Sequence, residues 1–120
     1  MFAVDKETSQ QAQERRIAAT IGEQLGGLSR LRAMTGARQT ITLNRDNSRL
    51  GGLAVRFPNR LRSRPNHVTV ELTPSDTYRV TFYRVSNRGM TVKQTYRADE
   101  VYASQLIELF ERETGLALRF

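Results

Sequence analysis

The chain has 120 residues, enough for one domain with a modest core, and 38% of them are hydrophobic. It has a formal net charge of +7 and no cysteine, which excludes disulfides, thiolate metal sites and a cysteine nucleophile. Residues 1–16 lack the apolar run of a signal peptide, and no apolar stretch is long enough to cross a membrane. We therefore expect an intracellular, cytoplasmic protein without a membrane partner.

The positive charge is concentrated in the middle of the chain. Residues 30–97 hold fourteen basic and three acidic residues, a net charge of +11, whereas residues 1–29 have −1 and residues 98–120 have −3. Such segregation favours an anionic partner for the middle segment. Arginine outnumbers lysine seventeen to two, and the codon bias of a GC-rich genome is a second explanation for that excess. Codon bias does not explain why the excess lies in one segment, so both interpretations stay open.

The N-terminal part of the chain is predicted to be a loose segment, 1–7, followed by a helix over about 9–25. Thr8 and Gln11 have the spacing of a capping box. Apolar residues then recur at every fourth position: Ile17, Ile21 and Leu25. The pair Gly26-Gly27 predicts a left-handed end to this helix.

From residue 31 onward the pattern changes to alternating apolar and polar side chains, which is typical of half-buried antiparallel strands. The predicted strands are 31–36, 40–43, 53–57, 68–72, 77–83 and 91–97. The predicted turns are 44–48, 73–76 and 87–89. We allow a bulge at Arg84-Val85, where the phase is ambiguous, and expect Gly51-Gly52 to begin a strand. The clearest part is a three-stranded meander over 68–97.

A second helix is predicted near the C-terminus, capped by Asp99 and with Glu100 in its first turn. Its predicted buried stripe is Tyr102, Leu106, Leu109 and Phe110. Gly115 ends the helix, and the alternation over 116–120 predicts a short terminal strand or a packed tail. The order of elements predicts a single α+β domain, 1–120, in which an N-terminal and a C-terminal helix flank a meandering antiparallel sheet of about five to six strands. Both helices can pack on one face of this sheet.

No catalytic or metal-binding constellation is evident, so we expect a non-enzymatic protein that needs no cofactor. His67 is the only histidine, has no acidic residue within three positions, and is predicted to be a surface residue at a strand edge. The acidic residues of the predicted sheet do not form the carboxylate cluster of a metal-dependent nuclease. The glycine pairs lack the lysine and helix start of a phosphate-binding loop.

Nucleic-acid binding is the function that the charge pattern favours. Two prolines, Pro58 and Pro65, bracket a loop of alternating arginines, and a predicted sheet face beside it offers phosphate contacts and one stacking aromatic. The predicted nucleic-acid-binding residues are Arg56, Arg60, Arg62, Arg64, Arg79, Tyr83, Lys93 and Arg97. Nothing resembles a helix-turn-helix, so binding to DNA or RNA should be salt-sensitive and weakly sequence-specific. The alternative is a protein-binding module whose basic face docks on an acidic protein surface.

Several short motifs resemble a family of small, largely uncharacterised proteins encoded by tailed bacteriophages and prophages. The similar stretches are 21–27, Ala33-Met-Thr-Gly-Ala37, 68–78, 101–106 and 113–116, within about residues 17–118. The resemblance implies a phage or prophage origin and a setting in the cytoplasm of an infected bacterium. Under this resemblance, the alternative of a protein-binding module becomes a phage protein that binds and modulates a host or phage protein, including host-defence machinery. None of the motifs is catalytic, so the resemblance assigns no functional residue.

Overall fold

In the described residues, 8–86 and 90–118, of the computed structural model, two helices precede the strands of a five-stranded sheet and a third helix follows them. The elements are α1 Ser9–Gln24, α2 Leu28–Thr35, β1 Gln39–Leu43, β2 Gly51–Arg56, β3 His67–Leu72, β4 Tyr78–Val85, β5 Val92–Val101 and α3 Leu106–Thr114, which follows a 3-10 turn at Ala103–Gln105. The strands pair antiparallel in chain order, β1-β2-β3-β4-β5. The predicted α+β meander is confirmed.

The first helix begins and ends where the sequence predicts. The Gln11 backbone N donates to Thr8 Oγ1 at 3.1 Å, and the Thr8 backbone N donates to Gln11 Oε1 at 2.9 Å, which completes the capping box. Gly26 and Gly27 have φ angles of 100° and 94°, a region that glycine enters without steric cost. The two glycines reverse the chain so that α2 follows α1 directly.

The strand predicted over 31–36 is wrong, because these residues lie in and just after α2. The positions of Leu28, Leu31 and Thr35 also fit one face of a helix, and a run of six residues cannot separate the two periods. In the structure Leu31 and Thr35 are buried, and Thr35 Oγ1 donates to the Leu31 carbonyl oxygen. Gly36, with φ at 72°, ends the helix in the left-handed conformation.

One face of the sheet carries the core, and helices pack on it. Inward side chains come from β2, β3 and β4: Leu53, Val55, Val68, Val70, Val80 and Phe82. Phe110 of α3 packs between Phe57 and Phe82, with ring centroids 5.2 Å and 6.5 Å away. Leu118 is fully buried in the same core, so the predicted packed tail is seen at Leu118, whereas Phe120 lies outside the described residues. No helix in the described part of the chain is long and apolar enough to cross a membrane.

The start of β2 requires glycine at its second position. Gly51-Gly52 begins this strand, as predicted. A Cβ atom on Gly52 would overlap the backbone carbonyl oxygen of Val70 in β3, which cannot move aside without breaking the sheet. A Cβ on Gly51 would lie 3.2 Å from the Ile17 side chain, so this end of β2 also lies close under α1.

The last strand is longer than predicted, and this corrects the predicted start of α3. β5 continues to Val101, so Asp99 and Glu100 belong to the strand and not to a helix cap and first turn. Tyr102 is 61% exposed rather than buried, and its backbone N donates to Gln105 Oε1. The register shifts lie opposite 78–80 and 82–83 instead of at Arg84-Val85. The predicted turn at 87–89 lies outside the described residues.

Candidate nucleic-acid interface

The sheet face opposite the helices, here called the outward face, is organised in three rows across the strands. The register gives an ion-pair row (Gly52, Glu71, Arg79), a central row (Ala54, Thr69, Thr81, Arg97) and a ring row (Arg56, His67, Tyr83, Gln94). Ala54 and Thr81 are only 5% and 4% exposed although they face outward. The centre of this face is therefore a shallow floor of small residues between longer side chains.

The ion-pair row is electrostatically satisfied within the fold. Glu71 Oε1 accepts from Arg79 Nε at 3.1 Å, and Glu71 Oε2 accepts from Arg49 Nη1 at 3.0 Å. Burial acts to raise the pKa of Glu71, but the hydrogen bonds from Arg79 and Arg49 outweigh it and hold the pKa below its ordinary value. Arg97 pairs with Asp99 at 3.3 Å. The predicted residues Arg79 and Arg97 thus lie on the outward face, each beside a carboxylate.

The ring row places the rings of His67 in β3 and Tyr83 in β4 side by side, at the point where β3 begins. The His67 and Tyr83 centroids are 6.2 Å apart with a 71° interplanar angle, an edge-to-face contact. Burial lowers the pKa of His67, and the charge of neighbouring Arg56 lowers it further, so the ring is neutral at pH 7. His67 begins the central strand and is half-buried, rather than a free surface residue as predicted.

The loop between β2 and β3, residues 57–66 and here called the arginine loop, is held against β4. Arg84 Nη1 donates to the carbonyl oxygens of Asn59 at 2.9 Å and Arg64 at 3.2 Å. The Asn66 side chain bonds both backbone groups of Val85, with Nδ2 donating to the carbonyl and Oδ1 accepting from the N–H. The loop is therefore fixed by polar contacts, and Arg84 organises it although it lies in another element.

Within this loop the three arginines have different environments. Arg64 Nη1 donates to the Arg112 carbonyl oxygen at 3.1 Å, near the C-terminal end of α3, where a cation complements the helix dipole. Arg60 and Arg62 are exposed, and neither forms an ion pair with a residue of 8–86 or 90–118. Leu61 between them is 57% exposed. No acidic residue occurs in 56–66, so this segment carries the four positive charges of its arginines and no negative charge.

Lys93 does not share the face of Tyr83, contrary to expectation. In the register of β4 and β5, Lys93 lies opposite Arg84, and Gln94 lies opposite Tyr83. Because Tyr83 and Arg84 are consecutive residues of a strand, their side chains are on opposite faces of the sheet, and Lys93 is on the face of Arg84. The register shift at Thr95, whose Oγ1 donates to the Phe82 carbonyl oxygen, changes the phase of β5. Lys93 therefore lies at the same end of the sheet as the arginine loop but behind the ring row.

Sequence reasoning missed His67 and Arg84 as parts of this site. The outward phase of His67 was readable, because it precedes Val68 and Val70 by an odd number of positions. The role of Arg84 was not readable, because its acceptors are backbone carbonyls at least twenty positions away in the sequence. In the described residues, no group of three acidic or histidine side chains is arranged to hold a metal ion.

Three comparisons with known proteins gave no match for this chain. No family model, no curated protein and no solved structure matches it. Its function is therefore inferred from the geometry of its own residues.

Proposed function

We propose that this is a non-enzymatic accessory protein of phage or prophage origin that binds nucleic acid, largely without sequence specificity, in the host cytoplasm. The observation that carries the proposal is the end of the sheet where the ring row meets the arginine loop. His67 and Tyr83 form the ring row with Arg56, and Arg60 and Arg62 follow in the adjoining loop, in a segment, 56–66, that contains no carboxylate. The resemblance of the short motifs supports the proposed origin.

The chemistry of this end suits single-stranded nucleic acid. A basic groove that follows the phosphates, combined with aromatic rings on which bases stack, is the usual arrangement in proteins that bind single strands. Tyr83 offers a ring on the outward face, and Arg60 and Arg62 offer exposed guanidinium groups in the arginine loop. A duplex keeps its base faces stacked inside, so it would use the arginines but not the rings.

The rest of the outward face adds less to this binding than the sequence suggests. Arg79 and Arg97 are each paired with a carboxylate, and Arg64 is engaged with the end of α3. A phosphate would have to compete with those internal partners. The proposed interface is therefore centred on Arg60, Arg62 and Tyr83 rather than spread over all predicted residues.

The test is a salt series of binding to fluorescent oligonucleotides of about 20 nucleotides, as oligo-dT, oligo-rU and a mixed-sequence duplex. We expect the single strands to bind more tightly than the duplex, with a slope of log affinity against log salt of about −0.7 per phosphate contact. Absence of binding at roughly 50 mM salt would end the proposal. Equal affinity for duplex and single strands would retain phosphate binding but remove the stacking role of Tyr83.

A further inference from the structure

The two edges of the sheet differ in how they are protected against pairing with another strand. β5, at one edge, carries Lys93, Arg97, Asp99 and Glu100 and has two register shifts against β4. Charges and bulges of this kind are how proteins block unwanted strand pairing. β1, at the other edge, reads Gln-Thr-Ile-Thr-Leu, has no charge or proline, and pairs with β2 in an unbroken register from Gln39 to Leu43.

The backbone groups that face the open edge of β1 can be identified from the ladder. The Phe57 backbone N donates to the Asn66 carbonyl oxygen at 3.0 Å. Counting backwards from Phe57 in twos, the residues of β2 therefore direct their backbone N–H and C=O groups toward β3. Arg56 then points to β1, and its carbonyl oxygen accepts from the Arg38 backbone N at 2.9 Å. Gln39, which lies opposite Arg56 in β1, directs its own backbone groups toward β2.

The same alternation continues along β1. Ile41 and Leu43 share the phase of Gln39 and bond to β2, whereas Thr40 and Thr42 direct their N–H and C=O groups away from the sheet. No strand in the described part of the chain pairs with this side of β1. Two donors and two acceptors are thus aligned as a template for an added strand.

The side chains around this edge favour an acidic partner. Arg38 and Arg45 lie just beyond the two ends of β1, are exposed, and form no ion pair with any residue of the two described ranges. Ile41 is 44% exposed on the outward face and offers an apolar contact to the side chain opposite it on the same face of an added strand. An extended segment with acidic ends and a threonine- and valine-rich centre matches this pattern.

A second copy of the chain fits the same edge poorly. Antiparallel pairing about Ile41 would bring Arg38 of one copy next to Asn44 of the other and would line the interface with four arginines. Each copy also has a formal charge of +7, which opposes association. We propose that the open edge of β1 is a docking site for an extended acidic segment of a partner protein, which adds as a sixth strand. This edge adjoins the ring row, since Gln39 lies opposite Arg56, but the proposal does not rest on nucleic-acid binding, and the test below uses no nucleic acid.

The test uses the whole chain and a blocked synthetic heptapeptide, Glu-Thr-Val-Thr-Val-Thr-Glu, titrated by calorimetry and by amide NMR. We expect saturable binding, at least about tenfold weaker for the peptide with lysine at both ends. An analogue with alternate backbone amides N-methylated keeps the charge but cannot pair as a strand, so it should not bind. Bound peptide should slow amide exchange at Thr40 and Thr42 and leave Ile41 unchanged.

Two variants make the test specific to this edge. Thr40→Pro removes one outward N–H without removing a bond to β2, a position where edge strands tolerate proline, and should weaken peptide binding at least about tenfold. Arg38→Glu with Arg45→Glu leaves the strand intact and should reverse the preference, so that the lysine-ended peptide binds more tightly. The proposal is overturned if the N-methylated peptide binds as well as its parent, if the acidic peptide does not bind at about 1 mM, or if the chain alone sediments as a dimer through β1.

Discussion

The ion-pair row and the arginine loop use the same residue type for different purposes. In the ion-pair row, Arg49 and Arg79 converge on the two oxygens of Glu71, and their charge stabilises the fold. In the arginine loop, Arg60 and Arg62 are exposed to solvent, and the segment 56–66 contains no carboxylate. The comparison shows that the few acidic residues, more than the many arginines, determine where this protein can attract an anion.

The strongest test of this difference removes two arginines from one end. Arg60→Ala with Arg62→Ala should reduce the slope of log affinity against log salt by about 1.4 for single strands. In about 0.1 M salt that change corresponds to a roughly tenfold to thirtyfold loss of affinity for oligo-dT. Fluorescence anisotropy across a salt series measures both quantities.

A matched control removes the same charge where each arginine has a partner. Arg97 pairs with Asp99, and Arg112 pairs with Glu113. The variant Arg97→Ala with Arg112→Ala should change affinity by no more than about twofold, because the carboxylates already offset those charges. An equal loss in both double variants would mean that the net charge of the chain, and not one end of the sheet, attracts the nucleic acid.

The second prediction separates stacking from charge at the ring row. Tyr83→Leu keeps apolar bulk but removes the ring, and it should weaken single-strand binding roughly fivefold or more. The salt slope should not change, because no phosphate contact is lost. Tyr102→Leu is the control, since Tyr102 is 61% exposed but precedes α3, away from the ring row. A changed slope, or an equal loss in the control, would contradict the stacking role.

The third prediction concerns the ion-pair row, where the effect should be on stability. Glu71→Gln removes the charge that Arg49 and Arg79 share, and we expect a loss of about 1–2 kcal/mol in the free energy of unfolding at neutral pH. Binding of oligo-dT should not weaken. Urea unfolding followed by circular dichroism measures the stability, and Asp46→Asn, at an exposed acid beside Arg49, is the control, for which a smaller loss is expected.

The pH dependence of stability follows from the same pair of charges. The pKa of Glu71 is lower in the folded chain than its ordinary value of 4.5, so the unfolded chain binds a proton more readily. The stabilisation by ionised Glu71 is complete when the pH is above the ordinary pKa of 4.5. It is lost as the pH falls from that value through the pKa of the folded chain. The wild-type chain should therefore lose more stability than Glu71→Gln between roughly pH 5 and pH 3. Parallel curves for the two chains would show that Glu71 is not the titrating group.

Local signals predicted much of the fold, and longer-range geometry decided the rest. The capping box at Thr8 and the glycine ends of α1 and α3 are set by neighbours in the sequence, and the structure has them as predicted. Asp99 is an adequate helix cap by type, but its position was decided by pairing of β5 with β4, which no local pattern shows. Short alternation misled at 31–36 because a buried leucine fits both periods.

The candidate site was predictable to the extent that it is local. The arginine loop is one uninterrupted segment, so its density of charge could be read from the sequence. The partners of Arg79 depend on the register of β3 and β4, and Arg49 reaches Glu71 from 22 positions away. The face of Lys93 depends on a single extra residue at Thr95. Register therefore decides which cations remain available to a ligand.

The smallest expected effect concerns His67, the one group in the ring row that titrates near neutral pH. Its pKa is lowered by burial and then by Arg56, so the unfolded chain takes up a proton more readily as the pH falls below the ordinary value of 6.5. The folded state should then lose a little stability below pH 6.5 and none above it.

Protonation of His67 would affect binding in the opposite direction. Once the pH falls to the folded pKa, protonated His67 adds a positive charge to those of Arg56 and the arginine loop, and affinity for oligo-dT should rise by roughly twofold to fivefold. As the pH falls below 6.5, His67→Gln should abolish both the rise in affinity and the loss of stability, whereas Glu71→Gln should retain both. If the affinity of His67→Gln still rises over that range, the ligand does not lie against the ring row, and the binding end of the sheet would have to be sought around Arg60 and Arg62 alone.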